Sequence, residues 1–276
     1  MSTHLLARWF CVLATTGLTA SLCSAEVLSV PGSGNPEYVL QALAKAFNAQ
    51  NGEHRVEVPP SSGTAGALRD VEQGVASLGR VGRPLKEAEL KRGLKYLPLG
   101  RDAVVFVAGA GVSAKSITAA QAVAAFTGKI ADWRELGAQP GPIRAIGREV
   151  TDASRQAITR EIKEFTDIQY GASVKLVYLD TQLIELLDRY PTSFSFLNRS
   201  ALFAASTRVK PLALNAVQAT PDTLADGRYP LALEFGLIHK TGALSAAGTA
   251  FVAFVYSPSG ERILREHGVQ PLAAAN

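Results

Sequence analysis

Three short loops rich in Gly, Ser and Thr each deliver the chain into a stretch with helical periodicity: Ser33-Gly34, Ser61-Ser62-Gly63-Thr64 and Thr151-Asp152-Ala153-Ser154. A helix N-terminus carries backbone N–H groups with no intrahelical acceptor and the positive end of the helix dipole, so such loops are natural anion seats. Glycine lets the backbone approach a ligand closely, and hydroxyls add neutral donors. Arg148, three residues before the last loop, adds a cation. Each loop taken singly reads equally as ordinary N-capping. Three of them together with Arg148 point to a shared anionic ligand.

Catalytic signatures are missing. No G-x-x-x-x-G-K-[ST] occurs, and the nearest approach to a nucleophile elbow, Gly111-Val112-Ser113-Ala114-Lys115, lacks its closing glycine. His54, His239 and His267 are scattered singly, without metal-ligand spacing. A hydrolase of phosphate esters would need a nucleophile or a metal cluster, and neither is visible. The chain therefore reads as a binding protein without enzymatic activity and without a cofactor.

The elements that must position these loops alternate short β-rich runs with amphipathic helical stretches, the pattern of an α/β protein. Val27–Val30 reads as a strand; a helix then starts near Pro36, with Leu40, Leu43 and Phe47 on one face. Strands are expected at His54–Val58, Val104–Ala108, Ile143–Ile146, Phe194–Leu197 and Leu231–Ile238. Helices are expected from about Thr64 to Gly74, from the capping box at Thr118-Ala119-Ala120-Gln121, over Asp152–Phe165 and over Gln182–Tyr190. The chain ends in two helical pieces split at Ser257-Pro258.

Of the 276 residues, the first 25 read as a cleavable signal peptide: Arg8, an apolar stretch from Trp9 to Leu22, then Cys23-Ser24-Ala25 before Glu26. A lipid anchor would require Cys23 as the first mature residue, and bulky Leu22 argues against it. Both cysteines, Cys11 and Cys23, fall in this segment, so the mature chain would hold no disulfide or thiol chemistry. A mild positive charge, +4 overall, suits an anionic ligand; with no basic run and few aromatics it does not suit a nucleic acid.

The mature chain resembles the phosphate-binding proteins of high-affinity phosphate ABC importers, the PstS type. An ordered series of segments carries the likeness. Val58 to Gly66 is similar to the family's Ser-Ser-Gly loop, and Ala76-Ser77-Leu78-Gly79-Arg80-Val81-Gly82-Arg83-Pro84-Leu85 to its A-D-I-G-x-A-S-R-P-L segment. Gly100 to Val107 resembles G-R-D-A-I-V-F-V, and Phe126 to Trp133 resembles F-x-G-K-I-x-N-W. Gly147-Arg148-Glu149 matches the opening of G-R-E-x-G-S-G-T-R; Gly227 to Leu231 and Phe254 to Gly260 follow the family too.

The resemblance implies an α/β, two-lobed periplasmic-binding-protein fold of type II, each lobe a sheet flanked by helices, the two joined by a hinge. After the signal peptide at 1–25, residues 26–101 with 206–276 would form one lobe and 102–205 the other. It implies a periplasmic monomer that captures an oxyanion, inorganic phosphate first, and delivers it to the permease of an ABC importer in the inner membrane. Donors carried over by position are Ser33 and Gly34, then Ser62, Gly63 and Thr64, then Asp152, Ala153 and Ser154, with Arg148 the cationic contact. Arg83 would line the cleft, or else form a salt bridge at the lobe edge.

Departures from the family pattern fall in these loops. Gly82, Val150, Thr151 and Asp152 replace residues that the pattern has as hydroxyl, acidic or glycine positions. Asp152 either accepts the proton that distinguishes hydrogen phosphate from sulfate, or caps its own helix in the seat of the anion. The second alternative implies another anion, or a sensor or scaffold with a degenerate site.

Overall fold

A computed structural model describes residues 26–205 and 207–274. The expected signal segment, with Cys11 and Cys23, lies outside them. In chain order the elements are β1 (Glu26–Ser29), α1 (Glu37–Gln50), β2 (His54–Glu57), α2 (Gly63–Glu72), β3 (Gly79–Val81), α3 (Glu87–Leu90) and β4 (Leu94–Ala108). Then follow β5 (Ser116–Ile117), α4 (Ala119–Thr127), β6 (Arg144–Arg148), α5 (Ala153–Glu161), β7 (Lys175–Val177), α6 (Asp180–Arg189), β8 (Ser193–Asn198) and α7 (Arg199–Ala204). The chain closes with β9 (Lys210–Pro211), β10 (Ala213–Leu214), α8 (Pro221–Ala225), β11 (Ala232–Lys240), α9 (Ala246–Val255), α10 (Pro258–Glu266) and β12 (Val269–Pro271).

One mixed sheet with order β3-β11-β4-β8-β6-β7 runs through the molecule, and two strands carry it from one lobe to the other. The first two thirds of β4, Leu94–Ala103, run antiparallel to β11; its last five residues pair with β8 instead. The apolar side chains divide accordingly. Leu28, Val39, Leu43, Phe47, Phe235 and Phe251 belong to the main core of the first lobe, and Val71, Val81 and Ile238 to a smaller one beside it. The second core gathers Phe106, Phe126, Phe165, Phe194 and Phe196, whose rings meet edge-on or tilted at 4.9–6.4 Å, apart from one near-parallel pair, Phe106 with Phe194. Burying one such ring contributes roughly 1.5–3 kcal/mol, so this cluster anchors the second lobe.

The lobe boundary differs from the expected one. The sequence places residues from 206 onward with the first lobe, yet Val209, Leu212, Leu224, Tyr229 and Leu231 pack in the second core. The reason is pairing: β9 lies against the C-terminal half of β4, β10 against β5, and the Tyr229 hydroxyl donates to the Val104 carbonyl at 2.9 Å. The return to the first lobe is made by β11.

Candidate functional site

The first-lobe face of the cleft is organised by Arg80 on β3, which has no exposed surface. Its Nε donates to the Ser33 carbonyl at 2.8 Å, Nη1 to the Val30 carbonyl, and Nη2 to the Pro59 carbonyl at 2.8 Å and to Glu37 Oε2 at 2.9 Å. One planar guanidinium therefore ties the loop after β1, the loop after β2 and the first turn of α1. Burial lowers the Arg80 pKa, and the Glu37 charge opposes that. Gly32 completes the junction: at φ +139°, a Cβ there would lie 1.9 Å from the Arg80 carbonyl oxygen. The Gly32 carbonyl in turn accepts from the N–H groups of Ser62 and Gly63 at 3.0 and 3.2 Å.

That stitching decides which expected donors reach the cleft. Ser33 and Gly34 line it, together with Asn35, Tyr38 and Ser61. Ser62, Gly63 and Thr64 are not among its lining residues: the N–H groups of Ser62 and Gly63 bond Gly32 and Thr64 Oγ1 accepts from Gly82 N at 3.2 Å, while the Ser62 side chain stays exposed. Arg83 also lies elsewhere. It forms a bidentate pair with Glu89 at 2.8 and 2.7 Å, bordering a separate hollow of about 390 Å³ beside Arg101 and Arg160. The pair holds the Glu89 carboxyl at about 2. Of the two readings of Arg83, the salt bridge is the one seen.

On the second-lobe face, β6 ends at Arg148 and α5 begins after Asp152. The Asp152 side chain caps that helix, Oδ1 accepting from Arg155 N at 2.9 Å, while Oδ2 accepts from Arg148 Nε and Nη2 at 3.0 and 2.6 Å. Ala153 and Ser154 follow in the first turn, where N–H groups lack intrahelical acceptors, and both line the cleft. Arg148 is 6% exposed. Its Nη1 lies 2.8 Å from Asp180 Oδ1, an ion pair too poorly aligned to make a directed hydrogen bond.

Sequence reasoning overlooked Asp180, Asn35, Tyr38 and Asn198, all of which line the cleft of about 500 Å³ between the lobes. Asp180 is 32% exposed at its side chain, but the cleft walls strip it of water and raise its pKa; Arg148 opposes the rise and Asp152 adds to it. Tyr38, across from it on α1, is raised by burial and then by the charges of Asp180 and Glu37. Asn198 accepts a hydrogen bond from Ser154 Oγ at 2.5 Å and donates to Asn35 Oδ1, so it joins the two faces. A single guanidinium thus stands between two carboxylates, among hydroxyl and amide groups and a helix N-terminus.

A cleft between two α/β lobes, walled by a helix N-terminus and a buried arginine, is the architecture of a binding protein that encloses a small solute. The chain belongs to the PBP superfamily: the family model described as "PBP superfamily domain" matches residues 19–259. It is similar to the "Phosphate-binding protein PstS" of Borreliella burgdorferi, 19% identical over 88% of this chain and 89% of that protein. The protein of the same name from Bacillus subtilis is 25% identical over 74% of this chain and 67% of its own. Among solved structures, a putative phosphate ABC transporter substrate-binding protein with bound phosphate from Clostridium perfringens superposes with TM-score 0.73. It is 22% identical, covering 90% of this chain and all of that one. The resemblance read from the ordered segments is borne out, and with it the two-lobed α/β fold.

Proposed function

We propose that this protein captures a small oxyanion, inorganic phosphate first, in the cleft between its lobes and delivers it to the permease of an ABC importer. The observation that carries the reading is the convergence on one cleft of Arg148, the first turn of α5 at Ala153 and Ser154, and the loop at Ser33 and Gly34. Backbone and hydroxyl donors hold the oxygens, and the guanidinium supplies the counter-charge. Relatives named as phosphate-binding proteins and as phosphate ABC transporter substrate-binding proteins support the choice of ligand. The reading is of capture and release without catalysis. It places the mature protein in the periplasm, following the composition of residues 1–25, and takes it as a monomer, as the family resemblance implies; among the described residues no helix is long and apolar enough to cross a membrane.

One feature favours a second reading, in which the same fold takes another anion or acts as a sensor. Arg148 is already engaged by Asp152 and Asp180, which leaves the immediate site with one net negative charge. That charge opposes a doubly ionised anion, as in a seat re-purposed for another ligand, whereas the first reading has a carboxylate accept the proton that hydrogen phosphate keeps. Titration calorimetry of ligand-stripped protein separates the two readings. Phosphate is expected to bind with a Kd in the micromolar range or below, about −8 kcal/mol or stronger. A folded sample that gives no heat at millimolar phosphate, but is stabilised by molybdate, a phosphonate or a carboxylate, would select the second.

A further inference from the structure

At the point where β4 changes partner from β11 to β8 stands Asp102, a carboxylate with no exposed surface. Its neighbours across the strands are Leu233 on β11 and Val269 on β12, neither of which can pair with it. Arg101, next in the chain, is turned to Glu234 at 3.4 Å. A buried carboxylate needs hydrogen-bond donors, and Asp102 finds them at the junction of β8 with α7. Ser200 donates from its backbone N at 3.2 Å and from Oγ at 2.5 Å, and Asn198 donates from Nδ2 at 3.3 Å. The cation facing it is Arg199, which also feels Tyr229.

Asn198 is the member that matters for the cleft. With its Nδ2 turned to Asp102 and to Asn35 Oδ1, its Oδ1 is left to accept from Ser154 Oγ. Reversing the amide would set its carbonyl against the Asp102 carboxylate, so the charge fixes the orientation. Asn35, a cleft-lining residue held through its oxygen, is left with a buried Nδ2 that has no hydrogen-bond partner among the described residues. That nitrogen is a ready donor for a ligand oxygen.

We propose that Asp102 is the positioning residue of the cleft: from the strand joining the lobes it holds the Asn198 amide, and through it Ser154 of the second lobe and Asn35 of the first. Burial raises the Asp102 pKa to about 6, with the Ser200 and Asn198 bonds and the Arg199 charge holding it from going higher. Below that pH the carboxyl is neutral, the amide loses its orienting charge, and both donors lose their alignment.

The proposal takes the cleft as the oxyanion seat, so its test first reads the protein without ligand. In 15N-labelled apo protein the side-chain amide resonances of Asn198 and Asn35 should move together, with one midpoint near pH 6. Asp102→Asn should abolish that titration. Ser200→Ala, which removes a donor that lowers the pKa, should move the midpoint upward and carries the test if Asp102→Asn does not fold. With phosphate as the probe, Asp102→Asn and Asn198→Ala should each weaken binding by about tenfold, and the double variant no further than either alone. Amides that do not titrate, that titrate unchanged in Asp102→Asn, or losses that multiply in the double variant would overturn the role of Asp102. Failure of the wild type to bind phosphate would instead overturn the choice of ligand, and the amide titration would still decide this proposal.

Discussion

Arg80→Ala is expected to lower the stability of the protein by about 3–5 kcal/mol, the scale for breaking a buried ionic group by removing one partner. The substitution removes four donated hydrogen bonds at once. It leaves the carbonyls of Val30, Ser33 and Pro59 without their donor and Glu37, 20% exposed, without its cation. A buried acceptor stripped of its partner costs more than the bond had contributed, because water cannot enter to replace it. Arg80→Lys should recover only a minor part, since one ammonium on a flexible stem cannot serve four acceptors set out for a planar fork. Urea denaturation of both variants measures this. In conditions where Arg80→Ala remains folded, its phosphate affinity should also fall, because Ser33 and Gly34 lose their fixed position. A loss below about 1 kcal/mol would mean that the two loops are held by their backbone bonds alone.

That Arg80 escaped the sequence reading has a physical reason. It sits between Leu78 and Val81 in a short buried strand, and nothing in an apolar segment announces a charge whose partners come from three other segments. The loops themselves were legible, since Gly, Ser and Thr before an amphipathic stretch mark a helix start, and Ser33, Gly34, Ala153 and Ser154 do meet in one cleft. Where the loops pack on one another, local composition is silent: Ser62 and Gly63 give their N–H groups to Gly32, thirty residues earlier. Asp180 was missed because α6 shows its apolar face only from Leu183 onward, so the helix read as beginning at Gln182 rather than two residues before.

The strands show the same division. Val104–Ala108 reads as a strand because it is apolar throughout, yet β4 begins ten residues earlier. Pro98 concealed that half. It has no N–H to donate, and the ladder accommodates it with a shift in register opposite Phe235 and Gly236, where a Cβ on Gly236 would lie 2.3 Å from the Leu97 carbonyl. Likewise the helix expected over Asp152–Phe165 stops at Glu161. Ile162 turns extended, at φ −116° and ψ 96°, and a tighter turn then carries Phe165 into the aromatic core. Tertiary packing set that end, and no residue in the segment encodes it alone.

Around Arg148 the charges make opposite demands on a pair of substitutions. Arg148→Ala is expected to weaken phosphate binding by about 2–4 kcal/mol, roughly 30- to 1,000-fold, because the anion loses its cation and meets two unopposed carboxylates. Asp180→Asn should act in the other direction on a fully deprotonated anion. It removes the poorly aligned partner at 2.8 Å from Nη1, keeps the Asp152 cap intact, and leaves the site electrically neutral. Sulfate, which carries no proton over the working range, should gain about tenfold in affinity, while phosphate gains less because it loses an acceptor for its own proton. The wild type offers an independent check through pH. The Asp180 pKa is raised, so on acidification its carboxyl becomes neutral earlier than an ordinary aspartate would. Sulfate affinity should therefore rise as pH falls through that range in the wild type relative to Asp180→Asn, since any change that Asp102 brings is common to both. A sulfate affinity indifferent to both pH and Asp180→Asn would mean that the Asp180 charge is absorbed by Arg148 and is not felt by the ligand.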